Sequence, residues 1–122
     1  MPSAASLILF QENLGSVANN FIAAVPGHPV ILDALTQVVN AINRGDTDTI
    51  WLLSGPGLLT RAVARFVAGQ TKPGQLPPGM AVLDLQTLHQ AVAEHCATGY
   101  KLKHKHWAIA SFGRQKPAKV TA

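Results

Sequence analysis

The sequence predicts an α/β domain, and three observations carry that expectation. Short apolar runs at residues 7–10, 50–53 and 81–83 have the length of strands. Between them, apolar residues recur at helical spacing. The 122 residues, 48% apolar and 13% charged, suffice for one buried core and hardly for two. The strands are few and short, so they are expected to be part of a larger sheet.

Residues 7–10 are bounded by polar neighbours and suit a buried strand. A second apolar segment at 17–25 is interrupted by Asn19 and Asn20. After the Pro26-Gly27 turn signal, Ile31, Leu35, Val38 and Ile42 fall at helical spacing while Asp33, Gln37 and Asn40 fall elsewhere on the wheel. A helix over 29–43 follows: Pro29 opens it where its missing N–H costs nothing, and Gly45 ends it in the left-handed conformation. Residues 50–53 read as a strand that empties into Ser54-Gly55-Pro56-Gly57, before Leu59, Val63, Phe66 and Val67 mark a second helix closed by Gly69. Residues 70–80, with three prolines and two glycines, are a loop. Residues 81–83 are a small strand. Leu88, Val92 and Cys96 outline a third helix ending near Gly99, residues 101–110 alternate like a strand, and 113–122 form a basic tail expected to fray.

The single cysteine excludes an intrachain disulfide, and the N-terminus lacks the charge and length of a signal peptide or a membrane span. The expected location is cytoplasmic, or peripheral to a membrane. The net charge of +4 comes mostly from beyond residue 100. Without interleaved aromatics, Arg114, Lys116 and Lys119 give no case for specific nucleic-acid binding.

Four groups of residues are chemical candidates. Ser54-Gly55-Pro56-Gly57 joins a turn to a helix start, whose unpaired N–H groups favour an anion, or it is ordinary capping. His104 and His106 share a face of a strand and suit a metal, while Lys101, Lys103 and Lys105 on the other face suit a solvated edge equally well. Trp107 caps the core or stacks on a ligand. Asp46-Thr47-Asp48 has the look of a carboxylate pair for Mg²⁺ or Mn²⁺, but its polar connection favours turn chemistry. His28 reads as a capping or turn residue and Cys96 as an apolar filler.

The segment from Asn19 to Pro29, containing Asn-Asn-Phe-Ile and Pro-Gly-His-Pro, followed after a helix by Ser54-Gly55-Pro56-Gly57-Leu58-Leu59-Thr60, resembles the C-terminal half of the family 32 glycosyltransferases. These are the DXD sugar-binding-region enzymes of capsular polysaccharide and initiating-mannosyltransferase type. A looser match joins His106-Trp107 and Ser111-Phe112 to a His-x-Trp and Ser-Trp segment of that family. The likeness spans about residues 5–112. It departs where the family's Asp-x-Asp should precede the asparagine segment, because nothing before Ser16 resembles it.

The resemblance implies the C-terminal part of a GT-A-like nucleotide-sugar-binding fold, incomplete, over residues 1–112. It implies transfer of a sugar from a nucleotide-sugar to an acceptor hydroxyl on a glycan or lipid, with Mn²⁺ or Mg²⁺ as Lewis acid on the leaving diphosphate. Asn19 would lie near the donor sugar, Ser54, Gly55 and Pro56 would line the pocket, and His106 with Ser111 would approach the diphosphate and metal. Lacking the carboxylate half, the chain alone is expected to be inactive. The alternative is a noncatalytic binding or assembly fragment with a basic C-terminal end, and an unfinished sheet would favour self-association.

Overall fold

The computed structural model describes residues 4–70 and 72–93. Among these, the order is strand β1 (Leu7–Gln11), strand β2 (Val17–Ala24), helix α1 (Pro29–Arg44), a single turn α2 (Ile50–Leu53), helix α3 (Pro56–Gln70), strand β3 (Met80–Leu83) and the short helix α4 (Leu85–His89). This is a small mixed α/β unit. β1 occupies the middle of a three-stranded sheet ordered β2-β1-β3, antiparallel to β2 and parallel to β3.

Adjacent residues of a strand project to opposite faces, and β1 uses both. Leu7 and Leu9, with Val17 and Met80, pack against Val30 of α1 and against Leu59, Ala62 and Val63 of α3. Phe10 and Ala18 face the other way, onto Leu88 of α4, with Phe21, Leu83, Leu85 and Val92 around them. The hairpin between β1 and β2 turns at Gly15, whose φ of 90° is open to glycine and strained for other residues. Leu9 pairs with Ile22 but Gln11 pairs with Val17, so residues 18–21 of β2 bulge opposite Phe10.

The helix expected over 29–43 is present and ends as its glycine signals. Gly45 has a φ of 69°, and its N–H reaches the carbonyls of Ala41 and Ile42. The strands at 7–10 and 81–83 are also present. Three expectations are corrected. Residues 50–53 form a helical turn: Leu53 and Ser54 donate to the carbonyls of Thr49 and Ile50 at 2.9 and 3.0 Å, the bonding of a helix. Gly69 lies inside the last turn of α3, which ends one residue later at Gln70. The third helix ends at His89, although Val92 still donates to the Leu88 carbonyl at 2.9 Å. That bond lets Val92 reach the Phe10 cluster without further helix. No helix among the described residues is long and apolar enough to cross a membrane.

Candidate functional site

The turn that carried the pocket expectation is built around Trp51. Gly55, Pro56 and Gly57 are all buried. A Cβ on Gly57 would sit 2.5 Å from the Trp51 ring, and one on Gly55 would sit 3.0 Å from the Trp51 Cα. Both glycines are therefore required for close approach, but what approaches is the tryptophan of the preceding turn. Ser54 is exposed and ends α2, its hydroxyl donating back to the Ile50 carbonyl at 3.4 Å. Thr60, one turn further, donates to the Pro56 carbonyl at 2.7 Å and accepts from the Val17 N–H at 2.9 Å. Its hydroxyl ties the first turn of α3 to the start of β2.

Asn19 stands exposed on the β2 bulge with Asn20. The start of β2 is tied to the helix after the glycine turn by the bond from Val17 to Thr60 and by the packing of Val17 with Leu59. The Pro-Gly-His-Pro turn is capping, as expected: the buried His28 accepts from the Val30 N–H through Nδ1 at 3.2 Å, and its ring meets Phe66 edge-on at 5.4 Å.

Asp46 and Asp48 are also engaged within the chain. Arg44 holds Asp46 at 2.8 Å, and this hydrogen bond keeps the Asp46 carboxyl below its ordinary value and the Arg44 guanidinium above its own. Asp48 accepts from the Thr49 N–H at 2.8 Å. One carboxylate is paired with an arginine and the other accepts a turn N–H, which is the turn chemistry the connection suggested, and no group of three or more candidate ligands occurs among the described residues. Both aspartates border a cleft of about 90 Å³ between α1, α2 and α3, across which Arg61 donates to the Leu52 carbonyl at 2.7 Å. At the carboxyl ends of the parallel strands β1 and β3, where open α/β sheets bind ligands, Asn13, Asp84, Leu85, Gln86 and His89 line a shallow concavity. Asp84 there caps α4: its Oδ1 accepts from the Thr87 N–H at 2.7 Å, which keeps the carboxyl below its usual value.

Four of the nine large apolar side chains that are exposed among the described residues lie on α1. Leu32, Leu35, Val39 and Ile42 are 54%, 59%, 45% and 61% exposed and form one stripe along the helix. Two of them, Leu35 and Ile42, belong to the periodicity that identifies the helix, yet the helix makes its core contacts through Val30, Ile31 and Ala34. The signal was legible in the sequence as an apolar arc about half the helix wide, more than the roughly 100° one core face needs.

His104, His106, Trp107 and Ser111, with the expected strand at 101–110, Cys96, Gly99 and the tail, lie outside the described residues. No family model, no curated protein and no solved structure matches the chain.

Proposed function

We propose that this chain is a noncatalytic assembly unit that works through the apolar face of α1. The observation that carries this reading is the contrast between engaged chemistry and open surface. Three polar groups that would serve an enzyme already have partners within the chain: Ser54 the Ile50 carbonyl, Asp46 the Arg44 guanidinium, His28 the helix it caps. The stripe from Leu32 to Ile42 has none among the described residues, and an exposed patch of this kind marks an interaction site.

A glycosyltransferase-like role is the second reading, supported by the resemblance of the asparagine and Ser-Gly-Pro segments and by the exposure of Asn19. In it the chain supplies the part of the fold after the metal-binding strand, and the Mn²⁺ or Mg²⁺ ligands, the nucleotide-sugar and the glycan or lipid acceptor meet it elsewhere. Incubation of the purified chain with nucleotide-sugars and Mn²⁺ separates the two. The assembly reading expects neither sugar transfer nor nucleotide-sugar hydrolysis; metal-dependent turnover that Asn19→Ala lowers at least tenfold would establish the enzyme instead.

A further inference from the structure

The geometry of the stripe points to its occupant: we propose that a second copy of this chain pairs with it, the two α1 helices antiparallel about a two-fold axis. The inference rests on the assembly reading above. Leu32, Leu35, Val39 and Ile42 are separated by steps of three, four and three, a spacing that reads the same in both directions. Antiparallel pairing about the middle of the stripe therefore sets Leu32 against Ile42 and Leu35 against Val39, then repeats both contacts on the other side of the axis. That is the self-complementarity an isologous interface requires, and the three-four alternation is the spacing at which side chains of one helix enter the gaps of another.

Charge favours a copy over a charged partner. The stripe carries none, and Thr36, Asn40 and Asn43 beside it are neutral. The two charges of α1, Asp33 and Arg44, are held by Arg65 and Asp46 of the same chain. Nothing on this face repels its own image, and antiparallel alignment opposes the two helix dipoles. The four side chains leave on the order of 400 Å² of apolar surface open on each copy, the size of the largest patch on many monomers and one that is often functional. A pair of such faces buries about 800 Å², the low end at which weak, transient pairing is found.

Sedimentation equilibrium of the full chain between about 1 and about 200 µM tests this, with a dimer of micromolar Kd expected. Leu35→Lys and Val39→Glu should each weaken pairing at least tenfold. Mixed one to one, the two variants should form a heterodimer, because the introduced charges meet across the axis; recovery there marks the antiparallel register. Far-UV circular dichroism checks folding, and Leu32→Gln with Ile42→Gln supplies a neutral disruption should a central charge unfold the chain. A dimer unaffected by all these changes would overturn the proposal. So would a monomer at 200 µM; if that monomer binds ANS and Leu35→Lys abolishes the binding, the face serves a different partner and the assembly reading stands. A monomer that binds no ANS would sink both, the chain covering its own face.

Discussion

Helices α1 and α3 are nearly equal in length and carry similar apolar periodicity, yet they are used differently. In α3, residues Pro56 to Leu59, with Ala62 and Val63, are buried. Trp51 packs over its first turn, β2 hangs on its Thr60 hydroxyl, and Arg65 reaches Asp33 of α1. In α1 only Val30 and Ala41 are buried. Periodicity alone identifies an apolar face; the number of neighbours that face meets is decided by the rest of the fold. Among the described residues, α3 lies among several elements and α1 is covered on one flank.

The sharpest test of that difference is at Gly57. Gly57→Val drives a side chain into the Trp51 ring and should lower stability by about 3 kcal/mol, read as a drop in the thermal or urea midpoint. Trp51→Ala in the same chain should recover part of the loss; failure to recover would mean that α3 does not depend on this contact. Next is Thr60→Val, which keeps the shape and removes the acceptor for the Val17 N–H, at an expected cost of about 1–2 kcal/mol. Hydrogen exchange at Val17 should speed up while exchange within α1 stays unchanged.

The ion pair between the two helices should matter less. Arg65 donates two hydrogen bonds to Asp33 and keeps its carboxyl below the usual carboxylate value, with Gln37 assisting. A lowered folded-state pKa stabilises the fold at pH values above the unfolded value near 3.8, and that contribution is lost as pH falls through the folded value. Because both side chains reach solvent, Asp33→Asn should cost only about 0.5 kcal/mol at neutral pH. The variant and the parent should converge in acid. The smallest effect belongs to the stripe: at low micromolar concentration Leu35→Gln should change stability by no more than about 0.5 kcal/mol. A loss of several kcal/mol would mean that Leu35 is buried in solution and that α1 resembles α3 after all.

Much of this was legible where the cause is local. Pro29 and Gly45 bracket α1 because a missing N–H and a positive φ are properties of single residues. Residues 50–53 misled because four consecutive apolar residues have no periodicity; the coiled turn sets the Trp51 ring against Gly57, a contact four residues alone do not reveal. The Ser-Gly-Pro-Gly turn was legible as capping, with Pro56 opening α3 and the Gly55 carbonyl accepting from Leu58 and Leu59. Its glycines do mark a close approach, but sequence cannot say whether ligand or side chain fills the space, and the tryptophan stands four residues before Gly55 and six before Gly57. The Asp46-Thr47-Asp48 segment was readable as turn chemistry, and its bonds to Arg44 and Thr49 agree with that. Thr60 carried no sequence signal, since its partner Val17 lies 43 residues away.

The parallel pairing of β1 with β3 also has a temporal side. Leu7 finds Met80 and Phe10 finds Leu83 only after the whole α1 to α3 segment has been made. At ordinary rates of synthesis the central strand therefore waits about 4–15 s for its second neighbour. The hairpin with β2 forms within microseconds, so one edge of β1 is satisfied early and the other stays open throughout. The apolar residues Leu7, Ile8, Leu9 and Phe10 lie along that open edge. The nascent chain is thus most prone to wrong pairing in that interval, and a chaperone that shields extended apolar segments would act on β1.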